Sequence, residues 1–289
     1  MLNRLPLILL AALALSTSAL AGDAGSPQSA APPASKKGRW VAQATTTIDA
    51  TPAQVMSLVA DLGRWKEWTA WGLARDPNGA WTSTGTPATV GHEMSWDGPE
   101  IKTGRLVLTR VEGNHIEYDF YFGKSKTPAF GSFTLTGEGP TTVVWYDDGK
   151  AHLFKNKISK MVTADLEQGL ANLKTQAEAL AAHDRQVAKI AAAEAELAAL
   201  KATSEARVKA ATDAKAAAEA ARKAATDAEA AAAKAPRKTA EAAKKAAADA
   251  KASAEAAQLT ADKAAQAAGE SAVAVAAKAA ELEALKAAK

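Results

Sequence analysis

Every large aromatic residue of this 289-residue chain lies in one stretch: all seven Trp, all five Phe and all three Tyr fall between Trp40 and Phe154. A buried core needs large apolar side chains, each contributing roughly 1.5–3 kcal/mol when fully buried. The aromatic-bearing part, about 140 residues, is long enough for one well-buried domain. After about Glu178 the chain is mostly Ala, Lys, Glu and Asp with scattered Leu and Val. A segment with little more than methyl groups to bury builds no globular core of its own.

Several function classes are excluded by composition. The net charge is +3, and the tail's lysines are matched closely by Glu and Asp. Nucleic-acid binding needs a basic patch, and interspersed charges read instead as a solvated helix, so no nucleic-acid partner is expected. The chain has no cysteine, which removes disulfides, thiol catalysis and thiolate metal sites. His92, His115, His152 and His183 are scattered without zinc-ligand spacing. No glycine-rich phosphate loop or nucleophile elbow is present. Neither a metal, a cofactor nor a catalytic residue is expected.

Residues 1–21 have the three parts of a secretory signal: Arg4, an apolar stretch from Leu5 to Leu15, and Ala19-Leu20-Ala21 as a cleavage site. The apolar run of about eleven residues is shorter than the ~20 needed to span a bilayer. The expectation is a periplasmic or secreted chain cleaved after Ala21. Residues 22–39, rich in Gly, Ser, Pro and Ala, read as a flexible linker.

Residues 40–178 read as an α+β domain. Val41 to Ile48 is a strand, Thr51-Pro52 caps and opens a helix, and a short helix follows with Trp65 and Trp68. From about Ala80 the period changes to two. Strands follow around Met94, over Gly104–Val111 and His115–Phe122, around Phe133, and over Thr141–Tyr146, where Asp147-Asp148-Gly149 reads as a closing turn. Ile116, Tyr118, Phe120 and Phe122 share one face of their strand; Glu117 and Asp119 take the solvated other face. The last element is a long amphipathic helix carrying Val162, Leu166, Leu170 and Leu173. Gly169 lies on its buried face, where glycine costs about 1 kcal/mol relative to alanine. Something must therefore approach closely there, either a strand or a ligand. A curved antiparallel sheet of about seven strands around a closing helix leaves room for a cavity.

The phrases Ile48-Asp49-Ala50-Thr51-Pro52-Ala53-Gln54-Val55, Leu58-Val59-Ala60-Asp61-Leu62 with Trp65 and Trp68, Val90-Gly91 before Trp96-Asp97-Gly98, Thr141 to Trp145, and Gly169 to Lys174 resemble, in order and spacing, the SRPBCC (START-like, helix-grip) superfamily, nearest its polyketide cyclase/dehydrase-like group. The resemblance implies a cavity for lipids, polyketides or other apolar molecules, with binding rather than catalysis in many members. The expected ligand-lining residues are Trp65, Trp68, His92, Trp96, Tyr118, Phe120, Phe133, Trp145, Leu166 and Gly169. The alternatives are a cyclase or hydratase using His92 or Tyr118 as acid/base, and a structural protein of the cell envelope acting through its arm.

That arm, residues 179–289, is nearly pure helix former. Leu166, Leu173, Leu180, Val187 and Val208 fall on a seven-residue grid with Ile190 and Leu197 beside it, a weak coiled-coil seam continuous with the closing helix. The expectation is a rod as far as Val208, a break at Pro236, a soft point at Gly269, and at most weak self-association or contact with an envelope protein. The segment resembles the Ala/Lys/Glu-rich helical domain of the periplasm-crossing Tol energy transducer.

Overall fold

A computed structural model of the chain describes residues 38–151 and 154–288. The expected signal, most of the linker and His152 lie outside them. Chain order is β1 (Arg39–Ile48), α1 (Pro52–Val59), a 3-10 turn (Leu62–Arg64), α2 (Trp65–Trp68), β2 (Ala80–Thr84), β3 (Glu93–Asp97), β4 (Gly104–Glu112), β5 (His115–Phe122), β6 (Ala129–Thr136), β7 (Thr141–Lys150), α3 (Lys155–Ala233) and α4 (Ala240–Ala287). The seven strands form one antiparallel sheet in the order β1-β7-β6-β5-β4-β3-β2. This is the α+β helix-grip arrangement expected from the sequence.

Local chemistry sets the elements. Thr51 caps α1 through a full capping box with Gln54, and Pro52 sits at the first helical position. Gly113 has φ 53° in the two-residue connection of β4 to β5, a turn that needs left-handed backbone. One face of the sheet and one stripe of α3 meet in the core. Leu166, Leu170, Leu173 and Ala177 are buried there with Ile116, Phe133, Leu135 and Val143. Asn172 of α3 donates its Nδ2–H to the Trp68 carbonyl at 3.0 Å, tying α2 to the closing helix.

Strand β7 runs farther than composition implies. Asp147, Asp148 and Gly149 are not a turn: they pair with Ala42, Val41 and Trp40 of β1. The inward parity of Thr141, Val143 and Trp145 continues through Asp147 and Gly149. Ten residues of ladder on β1 override the turn-forming preference of Asp-Asp-Gly.

Gly169 marks the approach of a strand. A Cβ there would lie 2.7 Å from Cζ3 of Trp145. Gly169→Ala, which in an open helix would gain about 1 kcal/mol, should instead destabilise by about 1–3 kcal/mol through overpacking. Urea titration of the two proteins checks the sign.

The arm is a hairpin. Helix α3 remains in contact with the domain to Arg185, whose guanidinium lies 3.9 Å from Asp49. The chain turns at residues 234–239, around Pro236, and α4 runs back along α3. The facing positions alternate at three and four residues: Ile190, Ala193, Leu197, Leu200 and Ser204 on α3, Ser271, Val275, Lys278, Leu282 and Leu285 on α4. Toward the turn both seams become alanine, with Ala218, Ala225, Ala247, Ala254 and Ala261 buried. Glu196 and Lys278 (2.6 Å) and Glu194 and Lys286 (3.0 Å) bridge the helices near the domain. Val187 and Val208 do not join the seam. Both are exposed, because the occupied stripe follows Ile190 and Leu197 and passes one residue to their side. Gly269 sits within α4 and does not interrupt it.

Candidate functional site

The inward rings fill the middle of the domain. Trp65, Trp68, Tyr118, Phe133 and Trp145 are all fully buried. Trp65 lies 5.1 Å from Trp68, 5.2 Å from Tyr118 and 5.6 Å from Phe133, centroid to centroid. Phe133 stacks on Trp145 at 4.7 Å. Leu166 and Gly169 close this cluster from the helix side. Trp96 belongs to a second group with Trp71 and Trp81, and it touches Phe122 at 6.1 Å. Most of the residues expected to line a ligand are thus in contact with one another.

His92 is buried and fully engaged. Its Nε2 accepts from the Leu62 N–H at 3.0 Å, which fixes the proton on Nδ1, where it is donated to the Thr84 carbonyl at 2.9 Å. No lone pair is left for a substrate. On the outer face Glu117 pairs with Arg110 (3.2 Å) and His115 (3.1 Å), the solvated setting its strand parity implies.

Open space lies instead at one end of the sheet. A cavity of about 440 Å³ is walled by Trp40, Phe120, Phe122, Ile158, Met161 and Val162. Ala129 and Gly149 form its floor, Ser125, Thr127 and Pro128 one rim, and among the described residues Lys150 is its one charged lining side chain. Of the expected lining residues, Phe120 is here. Strand register explains the floor. Phe120 pairs with Ala129, and Trp40 with Gly149, so one row of inward positions reads large, small, small, large. The small residues in the middle leave the gap. Trp40 and Phe122 are not among the expected lining residues, although each shares the inward parity of its strand.

One row deeper, about 7 Å along each strand, stand Tyr118, Gly131, Asp147 and Ala42. The Tyr118 hydroxyl donates to Asp147 Oδ1 at 2.5 Å and accepts from the Trp145 indole N–H at 2.7 Å. Gly131 makes this possible: a Cβ there would lie 2.1 Å from Tyr118 Cζ and 2.3 Å from Asp147 Oδ1. Burial pushes the Asp147 carboxyl up to about 7, against the hydrogen bonding from Tyr118 and Trp145 that lowers it. Burial, then the neighbouring Asp147 charge, raises the Tyr118 phenol well above its ordinary range. A buried carboxylic acid with a proton-donating phenol therefore lies directly beneath the cavity floor.

Residues 39–178 match the family described as polyketide cyclase/dehydrase and lipid transport. This domain belongs to the SRPBCC superfamily. Solved structures similar to it include protein CV1439 from Chromobacterium violaceum, at 14% identity over 48% of this chain and 96% of that one, with a TM-score of 0.38. The Aha1 dimer from Colwellia psychrerythraea is also similar, at 16% identity over 48% and 96%, with a TM-score of 0.37. No curated protein matches the chain in sequence. Among the described residues, no group of carboxylates and histidines around the SRPBCC domain is placed to hold a metal ion. No helix there is long and apolar enough to cross a membrane.

Proposed function

We propose that the chain is an exported, non-catalytic binding protein whose SRPBCC domain holds a lipid or other apolar molecule in the mouth cavity. The α3–α4 hairpin then serves as a spacer. The observation that carries this reading is the cavity itself. Its wall is apolar, its volume of about 440 Å³ falls within the roughly 300–1,000 Å³ usual for small-molecule sites, and Lys150 stands where the polar end of an amphiphile would emerge. The family's description, which includes lipid transport, supports it.

Native mass spectrometry of protein purified without detergent, followed by solvent extraction, tests the reading. A co-purified apolar molecule is expected. Ala129→Trp places an indole on the cavity floor and should reduce retained ligand by about tenfold or more. Equal retention by this variant would remove the mouth cavity as the site.

A second reading, acid–base chemistry on a bound molecule, is favoured by one feature. Asp147 and Tyr118 form a proton-carrying pair one row below the floor. In that case a turnover found with any extracted ligand would be abolished by Asp147→Asn, whereas simple retention would survive it.

A further inference from the structure

Two segments border the cavity mouth. Residues 120–129 contain Lys124 and Lys126 and no Asp or Glu; residues 149–151 and 154–164 contain Lys150, Lys155, Lys157 and Lys160 and again no acid. All six lysines are exposed. Lysines of the arm pair with nearby carboxylates, but among the described residues these six form no ion pair. Beside them three large apolar side chains are exposed: Phe122 is 54% accessible, Met161 60% and Phe154 76%. Phe154 also holds a left-handed backbone, φ 60° and ψ 17°, just before α3, an unusual state for a bulky residue. The fold thus presents an aromatic ring to solvent at the start of its longest helix, between Lys150 and Lys155.

We infer that this rim docks on an anionic lipid bilayer, with Phe122, Phe154 and Met161 entering the interface and the six lysines lying against the headgroups. Unpaired lysines near such a surface each strengthen binding roughly fivefold. Aromatic and long apolar side chains favour the boundary between headgroups and acyl chains. An acidic protein or a nucleic acid would engage the lysines but gives Phe154 and Met161 nothing to enter. The cavity opens through the same rim, so docking sets its mouth against the source of apolar molecules. The surface stands on its own residues, whatever the cavity holds.

Vesicle co-sedimentation tests this with the chain from Gly22 onward, which keeps every described residue and removes the apolar Leu5–Leu15 stretch. Binding is expected to vesicles of phosphatidylcholine with phosphatidylglycerol, to weaken steeply with salt, and to be far weaker on phosphatidylcholine alone. Lys155→Ala with Lys157→Ala should reduce partitioning roughly thirtyfold. Phe154→Ala with Met161→Ala should reduce it several-fold while leaving the salt dependence unchanged. Lys155→Ala with Lys157→Ala should leave the ligand retained by the soluble protein unchanged, since neither lysine lines the cavity, which separates this inference from the ligand reading. No binding to anionic vesicles at low salt, or equal binding to both vesicle types, overturns it. Full binding by the Phe154/Met161 variant also overturns it, in favour of a purely polyanionic partner.

Discussion

Asp147→Asn is expected to raise the stability of the domain at pH 8 and to leave it unchanged at pH 4. The carboxyl titrates near 3.8 when free and at about 7 in the fold, because burial disfavours its charged form. Well below pH 3.8 both folded and unfolded chains hold the proton, and stability is at its full value, little of it lost by pH 4. Between these two values the unfolded chain loses the proton while the fold retains it, so stability falls as pH rises. Above about 7 the loss is complete, and it amounts to about 4 kcal/mol. Asparagine resembles the protonated acid in shape, and its carbonyl oxygen can still accept from the Tyr118 hydroxyl. The variant therefore carries no such loss and should melt roughly 10 °C above the parent at pH 8. Thermal melts of both proteins across pH 4 to 8 should converge at the acid end and separate progressively above it. A variant less stable than the parent at every pH would mean that Asp147 is held as a carboxylate by the Tyr118 hydroxyl, and the floor would then be charged.

The same residue shows what the sequence could and could not disclose. Asp147-Asp148-Gly149 has turn composition, yet the period-two parity of Val143 and Trp145 runs straight through it. Period was the better guide, because ten β1 partners act on the backbone and composition acts only locally. That Asp147 has a phenol to bond is invisible in one dimension: Tyr118 lies 29 residues away. Gly169 is the opposite case. An energetic oddity in a helix implied a close neighbour, and Trp145 is that neighbour. The cavity was harder to read. Inward parity selected the right rings, but parity carries no volume. Five large rings in mutual contact occupy the centre, and on the inner face space opens where Ala129 and Gly149 face inward together. In the arm, alanine occurs on every helical face, so the alternating three-and-four stripe through it has no contrast. Leu and Val then suggested a seam one residue away from the occupied one. Pro236 was legible as a break, but not as the point about which α4 folds back.

Replacing Ser204 and Ser271 together by cysteine should give a single intramolecular disulfide and a much more stable hairpin. The two hydroxyls approach to 3.3 Å across the seam, on facing positions of α3 and α4. The chain has no cysteine of its own, so only this pair can react. Closing the loop between positions 204 and 271 should stabilise the hairpin by about 4 kcal/mol on the chain-entropy account. That gain matters most here, since an alanine seam buries little apolar surface and the helices hold each other weakly. Oxidised protein should migrate as a faster monomer without reductant, and its arm should lose helicity at a clearly higher temperature than the reduced form. If α3 and α4 instead continued as one rod, the two positions would stand about 100 Å apart, and no intramolecular bond would form. A disulfide-linked dimer would place α4 on the α3 of a second chain. The arm would then be an assembly device, and the weakness of its seam within one chain would be the reason it exchanges.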